Sequence, residues 1–277
     1  MSTFTLLAAV LVATARAGAA DVAALLAAND AAAADELLNG VQKKFEDGTL
    51  SEIELRNAFR PIYDLTPAEA ENLHAWAASH PKSYAAHLAE GIYYKKRGLA
   101  ARGDKFISET SKSALDEMQR NLVPAKAELT KSRELTKKPY LSLFHLLDIA
   151  AQDGDRSASL ALLTAANEAL PQNSLARNRY LTSLMPRWGG SYPEAEAFIT
   201  KAKSEGLAEQ GVVQLEAILH NDKGQTLEHD GNHDGARAEF VQALELGKRA
   251  GGSFQIDFLK VSRYYVCNGP DAVKYCQ

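Results

Sequence analysis

The chain has 277 residues, 46% of them hydrophobic and 24% charged, with a formal net charge of −4. That length and apolar fraction suffice for one large domain or two small ones with a sizeable core. The charge is interspersed and slightly acidic, which excludes the basic face of a nucleic-acid binder and gives no strong pull toward an anionic membrane.

The N-terminus reads MSTFTLLAAVLVATARAGAADV. Leu6 to Ala15 is apolar apart from Thr14, too short to cross a bilayer as a helix. The run has the character of a signal-peptide h-region, and Ala17-Gly18-Ala19 supplies the small residues that cleavage after Ala19 or Ala20 requires. No Lys or Arg precedes it, and Arg16 follows it, so the alternative is a buried N-terminal helix. The expectation is a signal peptide over residues 1–20 and an exported protein, periplasmic or secreted. No cysteine follows the cleavage region to carry a lipid anchor.

From there the pattern is helical. Alternating β-branched runs are absent, and apolar residues recur at i, i+3 and i+4. Ser51-Glu52-Ile53-Glu54, Thr66-Pro67-Ala68-Glu69 and Ser191-Tyr192-Pro193-Glu194 are capping boxes, each satisfying backbone N–H groups that a helix start leaves free. Gly48, Gly98, Gly154, Gly206, Gly231 and Gly251 mark turns. The reading is all-α, with about a dozen helices joined by short loops over a single domain, residues 21–277.

Within it, SYAAHLAEGIYYKKRG ends in Lys95-Lys96-Arg97-Gly98, read as a solvated turn. His74, His80 and His87, around Trp76 and Pro81, read as interface or surface residues rather than metal ligands. Tyr84, Tyr93 and Tyr94 line either a concave face or a helix interface. Residues 107–138 form two helices, or one kinked at Pro124. There Glu128 before Lys131 and Glu134 before Lys138 pair along an exposed face.

Three stretches repeat a helix pair: residues 140–173, 176–209 and 217–250. The last is clearest, with Gly224-x2-Leu227 in one helix, Gly231 at the turn, and Ala236-x3-Phe240 and Ala243 in the next. The pattern resembles the tetratricopeptide repeat, a helix pair of about 34 residues with small residues where the helices touch. The irregular spacing makes this a degenerate, solenoid-like array in which stacking supplies the core that one pair lacks.

Two segments sharpen the resemblance. AHLAEGIYYKKRGLAARG, residues 86–103, and RNRYLTSLMPRWGGSYPEAEAF, residues 177–198, are similar to the signature segments of a bacterial family with a domain of unknown function, over roughly residues 60–250. Its members are tetratricopeptide-like helical proteins, so the resemblance implies that fold and no established activity. Its motif positions fall on Arg102, Gly103, Arg187, Trp188, Gly189 and Gly190.

In PRWGGSY, Pro186 ends one helix, Gly189 and Gly190 reverse the chain, and Ser191 starts the next. Two readings of Arg187 and Trp188 stand side by side. In one, Trp188 fills a groove between helices and Arg187 caps a helix end or pairs with an internal acid. In the other they form a cation–aromatic pair on a binding surface. The partner-binding candidates are Arg187, Trp188, Tyr192, Tyr93, Tyr94 and Arg102.

HNDKGQTLEHDGNHDG holds His220, His229 and His233 with Asp222, Asp230 and Asp234. His229, His233 and Asp230 are weak metal candidates, zinc first, because Gly231 breaks the helix that i, i+4 ligands need to share a face. The cysteines are Cys267 and Cys276. Their disulfide would close the tail, residues 263–277, and contribute about 2–3 kcal/mol by constraining the unfolded chain; the alternative is two free thiols. No nucleophile elbow, phosphate loop, dinucleotide fingerprint or zinc-protease motif occurs.

The expectation is a non-enzymatic, exported helical-repeat protein that binds a protein or peptide, with no cofactor and no membrane span. The alternatives are an immunity or accessory protein of a bacterial secreted toxin system and a metal-dependent hydrolase built on the His/Asp cluster.

Overall fold

The computed structural model describes residues 22–103, 110–251, 254 and 258–268. The expected signal segment, residues 1–20, and Cys276 lie outside the described residues. Among those described, the protein is all-α, with no strand and no helix long and apolar enough to cross a membrane.

The chain divides into two compact units, Met1–Asp153 and Gly154–Gln277. The sequence reading places no boundary here, and the division falls inside the segment 140–173 taken as one helix pair. Helix-pair periodicity is blind to such a boundary, because each pair shows the same pattern whichever neighbour it stacks on.

Unit 1 contains α1 (residues 22–27), α2 (Ala31–Glu46), α3 (Glu52–Ala58), a 3₁₀ turn (Arg60–Asp64), α4 (Pro67–Ser79), α5 (Tyr84–Arg102), α6 (Lys112–Glu134) and α7 (Tyr140–Gln152). The Ser51 and Thr66 boxes form in full: each hydroxyl accepts from the N3 amide, and Glu54 or Glu69 reaches back to the cap's own N–H. Trp76 on α4 is fully buried and donates from its indole to Asp35 on α2 at 3.0 Å.

The long hairpin of α5 and α6 dominates the unit. Gly98, expected at a turn, lies inside α5. Its missing side chain serves helix contact, since a Cβ there would stand 3.0 Å from the Met118 carbonyl oxygen and 3.2 Å from Leu122. Gly91 does the same against Leu129. The chain turns later, at Gly103. Pro124 neither splits nor ends α6, which runs unbroken through it. The fully buried Leu122, Ala125 and Leu129 hold α6 together on both sides of the lost N–H. Lys95 is not part of a solvated turn either. It is buried on α5, donates to Asp148 of α7 at 2.5 Å and lies 2.9 Å from His145 Nδ1.

Unit 2 contains α8 (Arg156–Ala169), α9 (Leu175–Ser183), a 3₁₀ turn (Pro186–Trp188), α10 (Tyr192–Ser204), α11 (Glu209–His229), α12 (His233–Ala250) and α13 (Lys260–Cys267). Its main hairpin, α11 with α12, is closed by buried Ala217, Ala236, Phe240, Ala243 and Leu244. Gly224 is the contact point, for a Cβ there would come within 2.5 Å of the Phe240 ring. A second cluster, including Leu181, Met185, Ala195, Ile199 and Leu215, joins α9, α10 and α11. Cys267 at the end of α13 is disulfide-bonded.

Gly224→Ala is expected to destabilise the protein by about 1–3 kcal/mol through overpacking against Phe240. Gly40→Ala, inside α2 with nothing within 4 Å of the new methyl, is expected to stabilise it by about 0.5–1 kcal/mol. Urea denaturation of the two variants checks both signs.

Candidate functional site

The PRWGGSY segment is a clamp in unit 2. Pro186 starts one 3₁₀ turn, closed by Trp188 N–H to Met185 C=O at 2.9 Å and Gly189 N–H to Pro186 C=O at 3.0 Å. Gly189 takes φ +83°, and a Cβ on Gly190 would lie 2.0 Å from the Leu184 carbonyl oxygen, so the backbone demands glycine at both places. Ser191 caps α10 through Glu194 N–H. The Glu194 carboxylate turns back to the cap, accepting from Ser191 Oγ, and also accepts from Arg156.

The side chains of the turn have separate roles. Arg187 reaches α11, pairing with Asp222 at 2.7 Å and donating to Gln225 at 3.2 Å. Tyr192 shares its hydroxyl with Thr226 at 2.7 Å and Asp222 at 3.3 Å. Arg156 donates to the Gly189 carbonyl at 2.5 Å. Asp222 is buried, and burial pushes its carboxyl above the usual range against the pull of Arg187 and the Tyr192 hydroxyl. Trp188 is 41% exposed, so part of its ring is covered and part meets solvent. Of the residues expected to act together, Arg187 and Tyr192 are tied to α11 and Trp188 faces solvent.

The other candidates sit elsewhere. Arg102 closes α5 in unit 1 and donates to the Gly103 carbonyl. His229 ends α11, His233 begins α12, and both are exposed with Asp230 between them. His233 pairs with Glu228 at 3.0 Å. Gly231 has placed the two histidines on different helices, and no three ligand atoms converge around them among the described residues.

A convergence does exist in unit 1. His87 and Glu90 share a face of α5 at i, i+3 spacing. Glu128 reaches them from α6, and His74 from α4. The approach of α6 is set by Gly91, where a Cβ would lie 2.6 Å from Leu129 Cγ and 3.1 Å from the Leu129 amide nitrogen. His87 Nδ1 is 2.5 Å from Glu128, and His74 Nδ1 is 2.7 Å from Glu90. Burial raises the Glu90 carboxyl's pKa and the Glu128 charge adds to it, while the bond to His74 opposes the shift.

Tyr93 and Tyr94, expected at a partner surface, frame this cluster. Tyr93 is buried with its ring edge-on to His74, and Tyr94 stacks on the same imidazole at 5.2 Å. Glu128 turns to His87 and not to Lys131 along an exposed face. The signal available in sequence was the His87-x-x-Glu90 spacing. Its completion depends on residues from two other helices, which spacing does not reveal.

No family model, curated protein or solved structure matches the chain.

Arg187→Ala is expected to cost about 1–3 kcal/mol at neutral pH by leaving the Asp222 carboxylate buried without its cation. A carboxyl whose folded pKa is raised takes up a proton more readily folded than unfolded, so acidification favours the folded form. The deficit relative to the parent should therefore narrow as pH falls from 7 toward the carboxylate range. Denaturation midpoints measured across that range check the trend; a constant deficit would mean that Asp222 is not the group left stranded.

Proposed function

We propose that the protein is an exported, non-enzymatic helical-repeat protein that binds a protein or peptide partner, with Trp188 as an anchor of the binding surface. The observation that carries this reading is the presentation of Trp188. A large aromatic side chain, 41% exposed, is carried on a turn that two glycines, Arg187–Asp222 and Arg156–Gly189 hold in place. A pre-organised backbone lowers the ordering cost of association, and tryptophan is among the commonest residues at the energetic centre of an interface.

Other features support parts of the reading. The α11–α12 hairpin packs Gly224, Ala236 and Ala243 around Phe240, the small-against-large contact expected of a tetratricopeptide-like pair. The Arg187-Trp188-Gly189-Gly190 motif belongs to the family resemblance. The apolar run before Ala17-Gly18-Ala19 and the disulfide at Cys267 both suit an oxidising compartment outside the cytoplasm.

The test is retention of envelope proteins by the mature chain, residues 21–277, beside its Trp188→Ala variant, read by mass spectrometry. The exposed side chain can be removed without opening a core, so the variant is expected to melt with the parent. A partner held by the parent should bind the variant about 30-fold more weakly or worse, as loss of a central aromatic anchor implies. Equal retention by both proteins would remove Trp188 from the interface and this reading with it.

A further inference from the structure

We propose that His87, Glu90 and Glu128 form a binding site for a divalent transition-metal cation of the zinc type, with His74 as a fourth donor at its edge. The site lies in unit 1 and stands independently of the surface assigned to Trp188 in unit 2.

The geometry is close to that of a bound site. Each of the three residues offers a ligand atom, and the three atoms lie within 4.8 Å of one another. Bonds of about 2.0–2.1 Å in a tetrahedral zinc site put neighbouring ligand atoms roughly 3.4 Å apart. Side-chain adjustments of about an ångström, without backbone movement, span that difference. The donors come from one helical turn of α5 and the facing turn of α6, and Gly91 fixes how closely these pack. A loop-borne cluster of exposed acids would have no such support.

The second observation is His87 itself. It is 2% exposed, and its Nε2 is buried without a hydrogen-bond partner. Buried polar nitrogens are ordinarily satisfied, so one that is not requires a reason. In the metal-free protein Nδ1 faces the Glu128 carboxylate at 2.5 Å, so the imidazole already sits among the carboxylates that would share the ion. The charge balance points the same way. Two carboxylates share a partly buried space, with side-chain exposures of 13% for Glu90 and 25% for Glu128, and like charges so placed repel. A dication relieves that repulsion.

Donor chemistry selects the class of ion. Imidazole nitrogen with carboxylate oxygen suits zinc and its first-row neighbours, whereas calcium and magnesium favour all-oxygen shells. His74 is placed for the fourth position. Its Nδ1 already touches Glu90, and the rings of Tyr93 and Tyr94 hold the imidazole in place.

The test is titration of Co²⁺, then Zn²⁺, into the chelator-treated mature chain, read by the visible bands of tetrahedral cobalt and by the melting temperature. One equivalent is expected to bind, with cobalt displaced by zinc and the melting temperature raised. Glu90→Gln and Glu128→Gln keep side-chain shape and remove charge. Each should weaken binding by tenfold or more while melting with the metal-free parent. The His229→Ala/His233→Ala variant should bind as the parent does. If His87→Asn fails to fold, the two glutamine variants still decide. Absence of saturable binding, binding undiminished in both glutamine variants, or binding lost with His229 and His233 would each overturn the proposal.

Discussion

At three helix contacts among the described residues one helix lacks a Cβ, and the placement of the protein's chemistry depends on those points. At Gly91 and Gly98 the α5 backbone lies against α6 at distances that a methyl group would not permit. At Gly224 the Phe240 ring occupies the space that a side chain would have filled. Close approach maximises dispersion contact along each hairpin. It also fixes register: with Leu129 seated against Gly91, Glu128 can only face the turn of α5 that bears His87 and Glu90. The same contact that closes the core thus assembles the polar cluster beside it.

Buried charge is handled by pairing across helices. Lys95 and Asp148 join α5 to α7, and Arg187 and Asp222 join the PRWGGSY turn to α11. Such pairs are poor sources of net stability, since desolvation consumes much of their Coulombic gain. Their value lies in specificity: removing one partner strands the other, so the turn and the helix keep one relationship. This fixed relationship leaves Trp188 standing outward on a rigid backbone, while Arg187 and Tyr192 are taken up by the interior.

The helices were legible because their signals are local. Ser51, Thr66 and Ser191 cap the helices that their patterns announce, and the positive-φ glycines at 48, 154, 206, 231 and 251 stand at turns. Gly98 misled because a glycine at a helix contact and a glycine at a turn look alike in one dimension. Lys95 and Glu128 misled for a related reason. Each lies in a charged run typical of a solvated face, and each finds its partner on another helix. The His/Glu cluster draws on α4, α5 and α6, so its only one-dimensional trace was the spacing of His87 and Glu90. The division after Asp153 falls at the Gly154 turn, which in sequence looks like any other turn within a helix pair.

The most direct test of this account is the Gly91→Ala variant, followed by thermal melting and by the imidazole NMR signals of the histidines. If the α5–α6 approach positions both core and cluster, the variant melts below the parent. The His87 and His74 signals then shift, while those of the exposed His229 and His233 stay in place. A variant that melts with the parent and leaves the His87 signals unmoved would contradict the claim that this contact sets the geometry.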